Sequence, residues 1–220
     1  DTTGALGAGI YENGSISHVE NAPIINIYKS AKINATGDGI YAAGYGVWNI
    51  EGATIEGNTG IEIRAGILTI NGATIIGNGI PVSASPNGSG STTLGAGIAI
   101  AQHTSKNIVE VKIIDGTIKG YSAIYESNPQ KNSEEDLKKV NISITGGTFE
   151  AINGGKTVVY SEDKTSFITG GRFNTSFDVN YLGENYIVNN LENSYVVEEN
   201  KIIETTDEKV ILESEEALNR

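Results

Sequence analysis

The sequence predicts an all-β solenoid, because a short apolar phrase recurs with a period in the low twenties. From Ile50 onward each copy is an apolar residue, two turn residues, a small residue, Thr or Arg, and an apolar residue. Successive starts lie 23, 20, 43, 31 and 24 residues apart, as expected for one repeat stretched by insertions. The six copies are Ile27–Ile33, Ile50–Ile55, Ile70–Ile75, Ile113–Ile118, Ile144–Phe149 and Ile168–Phe173.

A second phrase, in its clearest copies Gly-Ile-Tyr, runs in step with the first. Each copy precedes a copy of the first phrase by one strand length, except in the first turn, where extra chain intervenes. Each turn is therefore predicted to hold about three short strands, joined by bends rich in Gly, Asn and Asp. The copies are Gly9–Tyr11, Gly39–Tyr41, Gly60–Glu62, Gly97–Ala99, Ala123–Tyr125 and Val158–Tyr160.

Residues 38–78 form the two most regular coils, and the alternation of a strand assigns their faces. We predict that the larger apolar residues point inward and stack coil upon coil. The inward set is Ile40, Trp48, Ile50, Ile55, Ile61, Ile63, Leu68, Ile70 and Ile75. The outward set is Tyr41, Asn49, Thr54, Glu62, Thr69 and Thr74.

The coils are predicted to span residues 1–173, with two insertions and a different C-terminal region. The first insertion, 79–96, is rich in Gly, Ser and Pro; the second, 127–139, is charged and predicts a helical turn. In that turn Ser133 is the expected N-cap, and Glu134 and Lys138 the expected ion pair. Residues 174–220 are predicted to be a capping segment and an acidic tail.

The capping segment is predicted to be residues 174–197, because a solenoid must cover its open sheet edge and the repeated phrase stops there. The remaining residues, 198–220, are acidic and weakly patterned. They predict a last strand pair, Lys201–Glu204 with Lys209–Leu212, and a short helical tail.

The coils resemble the right-handed parallel β-helix of pectin-lyase-like proteins. Gly170–Phe173, followed by Phe177–Val179 and the pair Tyr181-Leu182, resembles the closing segment of repetitive surface proteins of Gram-positive gut and oral bacteria. The resemblance implies a single-stranded right-handed parallel β-helix of about six coils with a C-terminal cap. It also implies an extracellular protein that is attached to the cell surface through regions outside this chain. The superfamily includes polysaccharide lyases and hydrolases, adhesins and stalks, so the fold leaves the function open.

Composition narrows the expected partners. The 220 residues contain no Cys and carry a net charge of −12. Without Cys there are no disulfides or thiolate metal sites, which favours a bacterial exoprotein. The chain also lacks Met, so we expect it to begin inside a longer reading frame or after a cleaved leader. The sequence has no basic patch to bind nucleic acid and no apolar run to enter a membrane, and we expect a monomer without cofactors.

The second phrase also predicts a ligand-binding surface. Its outward column reads Tyr11, Tyr41, Glu62, Ala99, Tyr125 and Tyr160. Neighbouring coils stack about 4.8 Å apart, close to the length of one sugar ring, so exposed Tyr rings would suit a glycan chain. Alternatively, these Tyr residues pack under the inserted loops, because Tyr suits half-buried strands.

A catalytic site is not expected from the residues present. A hydrolase needs two or three Asp or Glu facing one groove. Here Glu51, Glu56 and Glu62 are isolated acids, and His18 and His103 lack nearby carboxylates. The sequence has only three Arg: Arg64, Arg172 and Arg220. The acid pairs Glu162-Asp163 and Asp207-Glu208 are incomplete as calcium sites.

A column of Thr residues is predicted on another face, flanked by Lys32 and Arg172. It comprises Thr54, Thr74, Thr117 and Thr148, and we interpret it as a cross-strand ladder rather than an ice-binding face.

Taken together, these patterns favour a non-catalytic, adhesin-like extracellular module that binds a polysaccharide or a host surface protein along the solenoid face. The alternatives are a divergent polysaccharide lyase or hydrolase and a purely structural stalk.

Overall fold

The computed structural model describes residues 7–14, 19–160 and 164–201, and it has an all-β fold. We number its strands β1–β17 in chain order. Most of them belong to three columns, in which strands of successive repeats pair side by side and run parallel. This arrangement is consistent with the predicted β-solenoid.

The first column carries the second phrase. It comprises β1 (Ile10–Glu12), β4 (Asp38–Ala42), β7 (Thr59–Ile63), β10 (Ala96–Ile100) and the later halves of β12 (Gly116–Glu126) and β14 (Thr148–Val159).

The other two columns carry the first phrase and the bends around it. The second comprises β2 (Ile24–Ile27), β5 (Val47–Glu51), β8 (Gly66–Asn71), β11 (Val109–Ile113) and β13 (Val140–Ile144). The third comprises β3 (Lys32–Asn34), β6 (Thr54–Gly57), β9 (Ala73–Gly77), the first halves of β12 and β14, and β15 (Gly171–Phe173).

Equivalent residues of the repeats stack in register inside the molecule. Ile50 pairs with Ile70, Ile70 with Ile113, and Ile113 with Ile144, and a single bridge continues the column to Ile168. All five side chains are buried. The nine residues predicted to point inward are buried as well, so the alternation assigned the core correctly.

Glycine is required where two bends stack. Gly66 begins β8 with φ +88°, and a Cβ there would overlap the carbonyl oxygen of Gly46 in the preceding repeat. Only Gly combines a left-handed backbone with so close an approach. The Gly-rich bends therefore permit the coils to stack at strand spacing.

The Thr column is confirmed by the pairing. Lys32 pairs with Thr54, Thr54 with Thr74, Thr74 with Thr117, Thr117 with Thr148, and Thr148 with Arg172. The four Thr side chains are half-buried, as expected of a ladder on the outer face of the third column.

Both insertions leave the parallel columns. The first lies between β9 and β10 and is tied by an antiparallel bridge between Val82 and Leu94. The second contains helix α1 (Glu134–Leu137), whose predicted N-cap is confirmed: the Ser133 side chain accepts a hydrogen bond from the Asp136 N–H. The predicted Glu134–Lys138 pair is wrong, because the Lys138 ammonium lies 2.7 Å from Glu135, one residue closer in sequence.

After Phe173 the strands pair antiparallel, although a single parallel bridge joins Leu182 to Ile168. Strands β16 (Tyr186–Leu191) and β17 (Ser194–Glu199) form a hairpin, and β17 pairs with β15. Short 3₁₀ turns lie at Val19–Asn21 and Val179–Tyr181. The last predicted strand pair and helical tail lie outside the described residues, except for Lys201. Among the helices of the described segments, none has the length and apolarity needed to cross a membrane.

Candidate functional site

The first insertion folds over the outer face of the first column and covers a buried charge cluster of Asp38, Glu62 and Arg64. These side chains extend from β4, from β7 and from the residue that follows β7. Each residue is at most 3% exposed, which is unusual for ionised groups. Burial of this kind requires pairing and hydrogen bonding, and the insertion supplies much of it.

The Arg64 guanidinium donates hydrogen bonds to backbone carbonyl oxygens of the first insertion. Its Nη1 donates to the carbonyl oxygen of Asn87 at 2.7 Å, and its Nε lies 3.9 Å from the Glu62 carboxylate. Nε also donates to the Ala101 carbonyl at 3.3 Å, beyond the end of β10. One guanidinium thus connects β7, the end of β10 and the inserted loop.

The two carboxyls hold the same loop through its donors. The Ser91 hydroxyl lies 2.8 and 2.7 Å from the two Asp38 oxygens, and the Thr92 N–H lies 3.0 and 2.9 Å from the two Glu62 oxygens. Asp38 is 53 residues from Ser91, so this contact forms only in the folded chain. The loop is therefore fastened at successive residues.

Burial strongly shifts the acidity of both carboxyls. It raises the pKa of Glu62 from its ordinary 4.5 to about 8, and the neighbouring Asp38 carboxyl adds to the rise. It raises the pKa of Asp38 from 3.8 to about 6, although the Ser91 hydroxyl and Arg64 oppose the rise. Burial therefore favours the protonated form of each carboxyl, and the Arg64 charge opposes this at both.

Tyr41 links the cluster to the molecular surface. Its hydroxyl accepts hydrogen bonds from Arg64 Nη1 and from the Gly90 N–H, both at 2.9 Å. Its ring stacks on Tyr11 with centroids 4.9 Å apart and planes 16° apart, as strand spacing dictates. Tyr11 is 49% exposed, and its hydroxyl lies 2.8 Å from the Ser89 hydroxyl.

The second insertion and His103 support the loop from the other side. The Gln130 side chain donates to the Asn87 carbonyl at 2.8 Å, so this oxygen receives hydrogen bonds from both Gln130 and Arg64. His103 accepts from the Ser105 N–H at Nδ1, and its Nε2 lies 3.2 Å from the Gly88 carbonyl. Burial lowers the pKa of His103, and these contacts fit the neutral ring protonated at Nε2.

A cleft of about 550 Å³, the Tyr11 cleft, opens beside the cluster. It lies between the Tyr11–Tyr41 stack and the first insertion. The walls combine the side chains of Tyr11 and Tyr41 with hydroxyl, amide and carboxyl groups, as in a site for a polar ligand with apolar faces. The cleft lining includes the side chains of Tyr11, Asp38, Asn58, Asn87, Ser89 and Ser91.

Two further clefts follow the same face. One of about 410 Å³ includes Tyr121, Tyr125 and Lys156, and one of about 460 Å³ includes Lys156, Tyr160 and Tyr181. The 410 Å³ cleft shares Val82, Thr93 and Leu94 with the Tyr11 cleft. The first insertion is therefore a partition between two neighbouring clefts.

The predicted Tyr column holds in pairing but not in exposure. Tyr11, Tyr41, Glu62, Ala99 and Tyr125 pair in succession as predicted. However, Tyr41 and Glu62 are buried beneath the first insertion, so the prediction that they form part of an exposed surface is wrong. Tyr11 remains exposed and Tyr125 half-buried.

Tyr160 does not belong to this column. Tyr125 pairs with Val159, so Tyr160 is one residue out of register and its ring turns inward against Phe167 and Tyr181. A shift by one residue moves a side chain to the opposite face of a strand. A register shift between Gly120 and Ser122 of β12 accompanies this change, because β14 carries extra residues there.

Sequence reasoning did not name Asp38 or the loop residues Ser89–Thr92, and it assigned no role to His103 or Arg64 beyond noting that they are sparse. One signal was present: the Tyr column is interrupted at Glu62 and Ala99, the repeats between which the first insertion emerges. Small or acidic residues at those positions leave room for the loop, so a gap in a surface column beside an insertion indicates where the insertion packs.

No protein-family model matches the chain, and comparisons with curated proteins and with solved structures found no match. Within the described ranges, no three His, Cys, Asp or Glu residues form a group suited to a metal ion. The predicted acid pair Glu162-Asp163, the pair Asp207-Glu208 and His18 lie outside those ranges.

Proposed function

We propose that this chain is a non-catalytic glycan-binding module of a bacterial cell-surface protein, with the Tyr11 cleft as its binding site. The single observation that carries the proposal is the exposed Tyr11 ring at the edge of a 550 Å³ polar cleft. The ring is fixed in place, because Tyr41 stacks against it and Ser89 contacts its hydroxyl.

Sugar rings match the chemistry of this cleft. Each ring offers apolar C–H faces that pack on an aromatic ring, and equatorial hydroxyls that bond to amides, hydroxyls and carboxylates. Tyr11 supplies the platform, while Asn58 and Asp38 supply polar groups beside it. Because Tyr41 and the insertion already hold these groups, little ordering accompanies binding.

The wider architecture supports a long binding face. In this proposal the columns form a right-handed β-helix of six coils, and the β16–β17 hairpin caps it. The cleft with Tyr125 then lies farther along the same face, so a linear glycan that starts on Tyr11 meets the first insertion before the second cleft. Surface display follows from the resemblance of the coils and the closing segment to bacterial surface repeats.

Hydrolysis is a less suitable function for this cleft. Two carboxyls must face the glycosidic bond from opposite sides. Of the charge cluster, Asp38 lines the cleft, whereas Glu62 is fully buried beneath Thr92.

A glycan array followed by calorimetry on the best hit tests the proposal. Losing one stacked ring removes about 1 kcal/mol, so Tyr11→Ala should weaken binding about fivefold. Tyr28→Ala is the matched control, since Tyr28 has similar exposure, 58%, and lies outside the clefts. Reducing-end and unsaturated-product assays should stay silent. Release of product that depends on Asp38 would favour the enzyme, and an array without any hit would contradict glycan binding.

A further inference from the structure

The charge cluster contains one more carboxyl than it has cations. Asp38 and Glu62 face one guanidinium, that of Arg64, and all three residues are buried. Among the described residues that line the cleft or contact the loop, the other titratable side chains are Tyr11, Tyr41 and the neutral ring of His103. Full ionisation of both carboxyls would therefore leave one uncompensated negative charge in a poorly hydrated place.

Asp38 also retains acceptor capacity on the side of the cleft. A carboxylate has about four lone-pair sites, and the only side-chain donor to Asp38 among the described residues is the Ser91 hydroxyl. The Asp38 carboxyl is nevertheless part of the cleft lining, beneath the Ser91 hydroxyl.

We propose that the Tyr11 cleft selects glycans that carry a primary ammonium group, with Asp38 as the residue that binds it. This inference rests on the proposed function and names the class of sugar. An amino sugar fits both halves of the cleft: its ring packs on Tyr11 and its ammonium donates to Asp38. Within the described part of the chain no basic side chain lines the cleft, so a glycan carboxylate would find no opposite charge there.

In the complex, the bound ammonium compensates the excess negative charge that a proton compensates in the free protein. Without ligand, burial and the neighbouring Asp38 carboxyl raise the pKa of Glu62 to about 8 and so favour its protonated form. A cation at Asp38 lowers the cost of ionising Glu62, because opposite charges nearby favour the charged form. Binding at pH 7 should therefore release up to one proton, which leaves for the buffer.

Calorimetry on the full chain at pH 7 tests this with two probes, a glucosamine tetramer and its N-acetylated form. The tetramer with free amines should bind at least tenfold more tightly. Its apparent enthalpy should differ between phosphate and Tris by the heat of proton transfer, and that of the N-acetylated form should not. The buffer comparison uses the unaltered protein, so it does not depend on a variant that folds.

Asp38→Asn should bring the two tetramers to within about twofold of each other, while Glu51→Gln, which removes an exposed carboxylate outside the clefts, should preserve the tenfold preference. Equal affinities of the unaltered protein for both tetramers, still weakened by Tyr11→Ala, would overturn the amino-sugar inference and leave the proposed function standing. Absence of any glycan binding overturns both. A trilysine peptide that binds as tightly as the amine tetramer overturns the assignment to a sugar.

Discussion

The hydroxyl of Tyr41 accepts a hydrogen bond from Arg64 Nη1 at 2.9 Å. The same oxygen accepts from the Gly90 N–H at 2.9 Å, so one strand side chain joins the charge cluster to the inserted loop. The exposed face of a parallel column has here been converted into a second, polar interior. Hydrogen bonds and charges hold this interior together, whereas apolar packing holds the Ile core, so variants of the two should behave differently.

Removing the Tyr41 hydroxyl should destabilise the protein. In Tyr41→Phe the ring still stacks on Tyr11, but the Gly90 N–H loses its acceptor and Arg64 loses one of several. The Gly90 N–H is only partly buried, but the Arg64 guanidinium is fully buried, and losing a hydrogen bond to a charged group costs about 1.5–3 kcal/mol. Urea unfolding should show a loss in that range, and Tyr28→Phe, at an exposed position, should change the free energy of unfolding by less than about 0.5 kcal/mol. Equal stability of the two variants would contradict the role of this hydroxyl.

The cluster should make stability depend on pH. Both carboxyls have a higher pKa in the folded chain than in the unfolded chain, so folding favours their protonated forms. Their contribution is complete below their ordinary values, 3.8 and 4.5, and it is lost as pH rises to about 6 for Asp38 and about 8 for Glu62. The free energy of unfolding should therefore decline between pH 5 and 8.

Glu62→Gln should make that decline shallower, because an amide does not titrate. Thermal unfolding across the pH range measures the slope for the unaltered protein and for the Glu62→Gln variant. The control Glu51→Gln changes an exposed acid and should show the same slope as the unaltered protein. A slope that survives Glu62→Gln intact would assign the effect to other groups.

Two neighbouring Ile residues test the assignment of inward and outward side chains in β11 and the bend that follows it. Ile113 is buried and Ile114, the next residue, is 50% exposed. Ile113→Ala should cost about 2–5 kcal/mol, because it leaves a cavity between the Ile70 and Ile144 layers. Ile114→Ala should cost less than about 1 kcal/mol, since little buried area is lost. Similar losses at both positions would be incompatible with the observed alternation.

The hairpin β16–β17 should protect the last parallel strand. A chain ending after Phe173 exposes the edge of β15, which pairs with β17, and uncovers the Phe173 ring. Exposed sheet edges pair with other chains, so this truncation should aggregate in light scattering after gel filtration. Removing only residues 202–220 is the control and should leave a monomer. A monomeric protein with an unchanged melting temperature after the longer truncation would refute the capping role.

The repeated phrases predicted the interior well, because identical residues in identical bends must pair in register. Ile50, Ile70 and Ile113 and the Thr ladder were located in this way. The same method failed at Tyr160, since Val158–Tyr160 lacks the small residue that sets the phase elsewhere, and extra residues in β14 shift the register. Val159 takes the place assigned to Tyr160.

The polar site was beyond a repeat-based method for a different reason. Asp38 meets Ser91, and Arg64 meets Asn87, through a loop that occurs once and follows no period. Alternation placed Tyr41 and Glu62 on the outer face correctly. It did not reveal that chain from another part of the sequence covers them.

The carbonyl oxygen of Asn87 receives donors from Arg64 in the coil and from Gln130 in the second insertion. The two insertions are consequently coupled through one backbone oxygen, although 30 residues separate them in sequence. A chimaera that receives the first loop on a foreign solenoid must also receive Gln130 and a guanidinium at the position of Arg64. Exchange of either loop alone transfers the sequence of the cleft without its geometry.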